Sequence, residues 1–310
     1  MREGGMRARA CGSKVADQYT LNGVGNPNGL SRSQPAFGER IRQVSAFFEG
    51  AIPVEIQKSE LSDVTRYITN RSHMRLADKE ERYDSFMRLI NAVRPVTPET
   101  RMLEVGTGLG LFPIWCATKG WNCKGLEISP QLIAHAEQLA REEGVKVEII
   151  LGNIEDFSMP SEQFDVIIAA SLFEHVPEWR KGLAQIYRWL KPGGLLLFES
   201  TNKFSFVSGE YQKLPLYGWL PNAARYKFRQ IVHGPDIMQL GIDFHQFTHG
   251  GLRKAFRQLG FSKIYDRVDL ANLRGRGGPK GRIMSAAEQV SPLRQLILTF
   301  SNVTLFVCIK

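Results

Sequence analysis

A glycine-rich run in the first half of the chain constrains the fold more than any other feature. Residues 101–110 read RMLEVGTGLG, an apolar segment that ends in an acid and continues into three closely spaced glycines. The pattern predicts a buried strand, a sharp turn and the start of a helix, because glycine adopts positive φ readily and lets a ligand approach the backbone. Nucleotides bind at the carboxyl ends of strands in open α/β sheets. The run therefore predicts an α/β fold with a nucleotide-type site at this loop.

The spacing of the glycines separates this loop from the dinucleotide-binding fingerprint. That fingerprint is G-x-G-x-x-G, and counting from Gly106 puts Leu111 where its third glycine belongs. The loop instead reads acid-x-G-x-G-x-G from Glu104 to Gly110. A dehydrogenase is therefore disfavoured.

Later segments continue the alternation of strand and helix. Residues 123–128 predict a second strand, whose Glu127 follows the loop by about twenty residues, the usual distance of a ribose-binding carboxylate. Residues 164–171 predict a fourth strand, which Glu-His-Val-Pro follows at 174–177. Lys-Pro-Gly-Gly at 191–194 is the turn into a fifth strand. A repeated βα pattern predicts a parallel sheet with helices on both faces.

These motifs resemble those of the class I S-adenosylmethionine-dependent methyltransferases. Glu-His-Val-Pro and Lys-Pro-Gly-Gly are most similar to the small-molecule branch, which includes the ubiquinone-biosynthesis O-methyltransferases. The resemblance implies S-adenosyl-L-methionine as cofactor and a Rossmann-like, seven-stranded, doubly wound α/β sheet of order 3-2-1-4-5-7-6, with strand seven antiparallel. The cofactor-binding residues that it implies are Glu104, Gly106, Thr107, Gly108, Gly110, Glu127, Ile128, Asn153, Ile154, Glu155 and Ser171.

The resemblance also assigns parts of the cofactor to these residues. Glu104 and the loop backbone would hold the methionine part, and Glu127 would accept hydrogen bonds from the ribose hydroxyls. The backbone of Ile154 would face the adenine ring. Either Glu155 or Asn153 would take the exocyclic amine of the ring.

A histidine after the fourth strand is the candidate general base. His175 lies at the crevice edge, and a hydroxyl acceptor must lose a proton during transfer; the alternative is a structural histidine that bonds a backbone carbonyl. Glu174 is a candidate to orient it. His245 is a candidate to line the acceptor pocket, with Asp243 as a candidate partner; the alternative is a structural histidine. In the ubiquinone O-methyltransferases the Glu-His pair is associated with a divalent metal and a further acid, but Ser171 stands at that place, so no metal site is predicted.

Composition divides the chain into three regions. Residues 1–38 predict a flexible basic arm, and residues 39–98 a helical N-terminal cap. Residues 99–310 would form the methyltransferase domain. Two insertions interrupt it. Residues 201–247 are rich in aromatic residues and predict an acceptor pocket or a lid, with a small subdomain that has its own core as the alternative. Residues 270–298 predict a glycine- and arginine-rich loop followed by a helix.

Net charge and cysteine content limit the classes of partner and the cellular compartment that are expected. The formal net charge of +9 favours an anionic partner, and a merely solvated basic surface is an equal alternative. Four scattered cysteines suggest neither a zinc site nor a disulfide framework, which fits a reducing cytoplasm. No apolar run approaches the roughly 18 residues of a membrane span, and the amino terminus lacks the apolar segment of a signal peptide.

The leading prediction is a cytoplasmic methyltransferase that acts on the hydroxyl of a small-molecule acceptor. One alternative places it peripherally on an anionic membrane through the aromatic and basic residues 211–229, with a lipid or quinone precursor as acceptor. Another is a non-catalytic, cofactor-binding scaffold or regulatory partner. Nucleic acid is disfavoured because no recognisable binding module is present. The oligomeric state is left open.

Overall fold

The structure is a computed structural model, and it describes residues 63–71, 73–207, 214–234, 237, 241–275 and 277–310. The predicted basic arm at 1–38 and the first part of the predicted cap, 39–62, lie outside the described residues. The same holds for residues 208–213 within the first insertion.

A seven-stranded sheet forms the centre of the fold, and its order β3-β2-β1-β4-β5-β7-β6 confirms the predicted one. The strands are β1 Met102–Val105, β2 Cys123–Glu127, β3 Ile149–Leu151, β4 Phe164–Ala170, β5 Leu190–Thr201, β6 Lys263–Asp266 and β7 Val303–Ile309. β7 is antiparallel to β5 and to β6, and the other neighbours are parallel. The parallel strands bring the ends of β1, β2, β4 and β5 to one edge.

Helices cover both faces of the sheet. They are α1 Val64–Arg71, α2 Leu76–Val93, α3 Leu111–Thr118, α4 Pro130–Glu142, α5 Trp179–Trp189, α6 Asn222–His233, α7 His249–Leu259, α8 Arg267–Leu273, α9 Gly278–Gln289 and α10 Ser291–Phe300. Single 3₁₀ turns form at Phe173–His175 and Tyr217–Trp219. None of the described helices is both long and apolar enough to cross a membrane.

Alternate residues of the central strands pack into two hydrophobic cores, one on each face of the sheet. Ile167 of β4 packs in a core with α5 and α7, whereas its neighbours Val166 and Ile168 pack in a second core with α2, α3 and α8. Successive side chains of a strand point to opposite faces, so one apolar strand serves both layers. This explains why the central strands read as continuous apolar runs.

The second insertion differs from its prediction. Instead of a loop and one helix, the chain between β6 and β7 forms three helices, α8 to α10. β6 ends at Asp266, whose side chain accepts hydrogen bonds from the backbone N–H groups of Val268 and Asp269 and so begins α8. The residues that follow Asp266 are apolar enough to suit either a strand or a helix. The aspartate cap decides for the helix.

Candidate functional site

The glycine loop after β1 has the backbone that its sequence predicts. Gly106, Gly108 and Gly110 have φ values of 67°, 57° and 69°. A Cβ on Gly110 would lie 2.7 Å from the Cβ of Ala136 on α4, so this glycine allows the loop to pack against that helix. At Gly108 the nearest atom to such a Cβ is the Tyr67 hydroxyl oxygen at 3.9 Å. The loop is therefore closed on one side and open at Gly108, as a ligand-binding turn requires.

The acid of the loop motif lies in an environment that disfavours its charge. The Thr107 hydroxyl donates a 2.5 Å hydrogen bond to Glu104 Oε2. Burial raises the pKa of Glu104 to about 8, although the Thr107 hydrogen bond and the Arg82 guanidinium act to lower it. The carboxyl therefore takes up a proton near neutral pH. A cationic group placed beside it would favour the ionised form.

Glu127 is the last residue of β2, and its carboxylate fixes the glycine loop through hydrogen bonds. Its Oε2 accepts a hydrogen bond from the backbone N–H of Gly108 at 2.7 Å, and its Oε1 accepts from Ile128 and Ser129 at 2.9 and 3.1 Å. Burial raises the pKa of this carboxyl, while those three backbone donors act to lower it. A carboxylate oxygen accepts more than one hydrogen bond, so the group keeps capacity for the predicted ribose hydroxyls.

The segment predicted to face adenine forms a turn after β3. The side chain of Ile154 is buried in the core, and its backbone N–H has no hydrogen-bond partner among the described residues. Asn153 and Glu155 bond each other, from Nδ2 to Oε2 at 3.2 Å. Glu155 Oε1 also accepts from the backbone N–H of Glu178, at the start of α5. The backbone of Ile154 suits the predicted contact, whereas both side chains already hold the turn.

A charged residue that was not predicted from the sequence, Arg82, lies at the ends of β4 and β5. Arg82 of α2 donates from Nη2 to Glu199 Oε1 at 2.8 Å and to Ser171 Oγ at 3.3 Å. Ser171 has a left-handed φ of 54°, and its N–H bonds the Glu199 carbonyl. An arginine on the polar side of a helix gives no sequence signal of its partner. Only the packing of α2 over the sheet brings these three residues together.

His175 is held in a defined orientation. Its Nδ1 lies 2.8 Å from the carbonyl oxygen of Ile242. A carbonyl only accepts, so this contact assigns the proton to Nδ1 and leaves Nε2 as the basic nitrogen. Among the described residues, Nε2 has no hydrogen-bond partner. The sequence left two roles open for His175, a general base and a structural histidine that bonds a backbone carbonyl. One ring can have both roles, because each uses a different nitrogen.

The carboxyl next to it has another role. Glu174 is 3 % exposed and accepts a 2.5 Å hydrogen bond from the Ser200 hydroxyl. Burial raises the pKa of Glu174, although nearby His175 and the Ser200 hydrogen bond act to lower it. The His175 ring donates its orienting hydrogen bond to the Ile242 carbonyl and not to this carboxyl.

His245 lies close to the same turn. Its Nε2 is 2.9 Å from the carbonyl oxygen of Pro177, which assigns a proton to Nε2. The predicted pairing of His245 with Asp243 is wrong. Asp243 is fully buried and forms ion pairs with Arg225 and, at 2.8 Å, with Arg229. A buried carboxylate needs charged partners, and α6 supplies two arginines.

A comparison with known protein families identifies the central part of the chain. Residues 103–198 match the sequence model of the family described as Methyltransferase domain. The ubiquinone biosynthesis O-methyltransferase of Coxiella burnetii (strain Dugway 5J108-111) is 27 % identical over 180 residues, which cover 54 % of this chain and 72 % of the relative. Its counterpart in Pseudomonas savastanoi pv. phaseolicola is 33 % identical over 119 residues, 36 % of this chain and 51 % of the relative.

Solved structures with the same fold have diverse activities. The chain is similar to phosphoethanolamine N-methyltransferase 2 of Haemonchus contortus, with a TM-score of 0.52 and 16 % identity over 84 % of this chain and 61 % of that one. It is also similar to the [4+2]-cyclase SpnF, with a TM-score of 0.51 and 17 % identity over 84 % of this chain and 98 % of that one. At this identity the structures show the fold alone.

Proposed function

We propose that this class I S-adenosylmethionine-dependent methyltransferase transfers the methyl group to a hydroxyl of a small-molecule acceptor. The observation that carries the proposal is His175, whose Nδ1 is bonded to Ile242 and whose Nε2 is the basic nitrogen. A hydroxyl, unlike an amine, must lose a proton to become an effective nucleophile. Relatives named as O-methyltransferases support the same reaction class.

The residues at the loop fit the cofactor. Gly108 leaves open space beside the turn, and a Cβ on Gly106 would lie 2.4 Å from Leu172 Cδ1, so the turn requires glycine. Glu104 would hold the methionine part, Glu127 the ribose, and the backbone of Ile154 the adenine. When bound, S-adenosylmethionine supplies a methyl group that its sulfonium sulfur already activates.

The protein must then position the acceptor and remove its proton. His175 takes the hydroxyl proton at Nε2, and the Ile242 carbonyl keeps the ring oriented while it carries positive charge. Alignment of the acceptor oxygen with the methyl group supplies much of the acceleration. We propose that the insertion 201–247 forms the acceptor wall, because Ile242 and His245 from this segment bond the turn that carries His175.

Calorimetry and a transfer assay test the proposal. S-adenosylhomocysteine should bind the purified full-length chain, and methyl-labelled S-adenosylmethionine should label phenols and catechols more than amines. His175→Gln should lower kcat about 10²–10⁴-fold, with the Kd for S-adenosylhomocysteine changed less than about threefold. His135→Gln on α4, remote from this turn, is the control. Equal activity of wild type and His175→Gln would refute the role of His175 as base.

A specific surface supports a second candidate, transfer to a lipid-like acceptor at a membrane. We define the aromatic patch as Phe206, Val207, Leu216, Trp219, Leu296 and Phe300. Phe206 and Trp219 are 53 % and 41 % exposed, and the Phe206 and Phe300 rings stack with centroids 4.9 Å apart. Aromatic residues exposed together are typical of surfaces that enter the membrane interface.

Vesicle co-sedimentation tests this candidate. The protein should bind phosphatidylglycerol vesicles more than phosphatidylcholine vesicles, and salt should weaken the binding. The double variant Phe206→Ser/Trp219→Ser should lose binding. Leu273→Ser, an equally exposed apolar residue on α8, should retain it. If both variants bind like wild type, the aromatic patch is not the membrane contact.

A further inference from the structure

A guanidinium lies at the edge of the sheet from which the turn with the candidate base begins. Arg82 Nη2 contacts Glu199 Oε1 at 2.8 Å and Ser171 Oγ at 3.3 Å. Ser171 follows β4 and precedes His175 by four residues, while Glu199 pairs with the last residue of β4. The Arg82 side chain is 30 % exposed, so a ligand in the crevice can reach it. A guanidinium that is ion-paired with Glu199 therefore lies at the edge where the proposed function would place the acceptor hydroxyl.

The site is built to keep this charge in place. Ser171 adopts a left-handed φ of 54°, which costs energy for a residue other than glycine, and its N–H bonds the Glu199 carbonyl at 2.9 Å. The Glu199 carboxylate is 18 % exposed and bonds Arg82 directly. Hydrogen bonds from a guanidinium to a carboxylate have a defined geometry. Glu199 and Ser171 thus act as positioning residues for Arg82.

The divalent metal that the resemblance implies does not fit these side chains. Ser171 stands in place of an acid, and its hydroxyl accepts from Arg82. The Glu174 carboxyl is buried against Ser200. Nδ1 of His175 is bonded to Ile242, so only Nε2 remains as a ligand.

The composition and charge of the site also disfavour a divalent cation. Among the described residues, no three His, Cys, Asp or Glu side chains come together as metal ligands. A divalent cation at the ends of β4 and β5 would also meet the Arg82 guanidinium at short range and would compete with it for the Glu199 carboxylate. Like charges at that distance repel strongly when they are partly buried.

We propose that Arg82 supplies, at the acceptor edge, the positive charge that a divalent cation supplies in the related O-methyltransferases, and that methyl transfer by this chain needs no metal. The inference rests on the proposed function. The acceptor hydroxyl gives its proton to His175 Nε2, and its oxygen forms the bond to the methyl carbon. The carbon–sulfur bond breaks, and its electron pair stays on sulfur. Arg82 N–H groups stabilise the negative charge that develops on the acceptor oxygen.

The first test measures metal and charge dependence in the full-length chain. After EDTA treatment, labelled methyl transfer to a catechol probe should stay within about twofold of its rate with added Mg²⁺. Arg82→Gln should lower kcat about 10²–10³-fold, Arg82→Lys should restore part of it, and Arg88→Gln on the exposed side of α2 should change little. The Kd for S-adenosylhomocysteine, measured by calorimetry, should change less than about threefold in Arg82→Gln.

Two outcomes of this test would overturn the proposal. Loss of activity in EDTA that Mg²⁺ restores would show a metal-dependent reaction. A large rise in the Kd for S-adenosylhomocysteine in Arg82→Gln, with kcat unchanged, would show that Arg82 holds the cofactor and not the acceptor.

The second test does not need turnover. Mn²⁺ binding, followed by electron paramagnetic resonance, should be absent at the site in the wild type and should appear in Arg82→Gln/Ser171→Asp, where a carboxylate replaces the hydroxyl and the guanidinium is gone. Specific Mn²⁺ binding by the wild type that Ser171→Ala or His175→Gln abolishes would overturn the proposal. If the wild type methylates no hydroxyl probe but binds S-adenosylhomocysteine, the proposed function fails, while the Mn²⁺ titrations still decide whether the site accepts a metal.

Discussion

Two carboxyls next to the glycine loop differ in how the fold holds them. Glu127 accepts three backbone hydrogen bonds at the end of β2. Glu104 has the Thr107 hydroxyl as its hydrogen-bond donor, and burial raises its pKa to about 8. The first carboxyl shapes the loop. The pKa of the second carboxyl lies close to neutral pH, so a bound ligand can change its protonation state.

This difference predicts how stability responds to pH. The folded-state pKa of Glu104 is above its ordinary value of 4.5, so the folded protein holds this proton more tightly than the unfolded chain does. Its contribution to the free energy of unfolding is full below pH 4.5 and is lost as pH rises through 8. Glu104→Gln carries no such charge, and by pH 8.5 it should be more stable than wild type by about 1–3 kcal/mol.

Urea denaturation at several pH values measures the effect. The free energies of unfolding of wild type and Glu104→Gln should converge near pH 4.5. Glu137→Gln, an exposed position on α4, should show no such pH-dependent gain. A difference between wild type and Glu104→Gln that does not vary between pH 5 and 9 would show that Glu104 titrates normally.

Among the elements, α8 to α10 are attached to the sheet by buried charge. Asp266 at the end of β6 is fully buried and bonds Arg253 of α7 at 2.7 Å and Arg294 of α10 at 2.5 Å. Burial by itself acts to raise the pKa of Asp266, but the Arg294 and Arg253 guanidiniums hold it below its ordinary range. Burial lowers the pKa of neighbouring His249 to about 4, so that ring is neutral at pH 7.

Removal of this charge should loosen the inserted helices. Asp266→Asn keeps a side chain that can cap α8 but removes the buried carboxylate shared by two guanidiniums. Asp269 still pairs with Arg294 at 2.6 Å, so we expect a loss of about 2–3 kcal/mol at pH 7. Because the pKa of Asp266 is lowered in the fold, the wild type loses this contribution as pH falls below about 4, and the difference should shrink there. Chemical denaturation measures both effects. Asp156→Asn, at an exposed position, should cost less than about 0.5 kcal/mol.

At the scale of the whole molecule, one sheet connects both cores and the glycine loop. Val105 and Leu103 of β1 belong to the core with α5 and α7, and Met102 belongs to the core with α2 and α3. The same short strand ends in the glycine loop. Loss of either core therefore removes support from the loop.

This arrangement predicts cooperative, ligand-linked unfolding. S-adenosylhomocysteine at about 100 times its Kd should raise the free energy of unfolding by about 2.7 kcal/mol. Trp115 lies in one core and Trp189 in the other, so tryptophan fluorescence reports on both, and circular dichroism reports on the helices. Both signals should shift together on addition of the ligand. A ligand shift confined to one signal would show that the layers unfold independently.

The parts of the fold that were predicted correctly from the sequence depend on local rules. The positive-φ turn of the glycine loop and the acid at the end of β2 each follow from the residues next to them in the chain. The topology followed from the family resemblance, because chain order alone does not decide which strands are neighbours. The insertion 270–298 was predicted poorly, since its glycines and arginines suggested a loop while buried Asp266 organises helices.

The sequence by itself determined the strand-and-loop pattern, the acids at the strand ends and the candidate base. Only the tertiary structure decided the partners of those groups. Arg82 bonds Ser171, which is 89 positions away in the chain, and His175 bonds Ile242, which is 67 positions away. Asp243 forms ion pairs with two arginines and not with His245. The physical reason is that backbone conformation is set by neighbouring residues, whereas charge pairing and burial are set by which elements pack together.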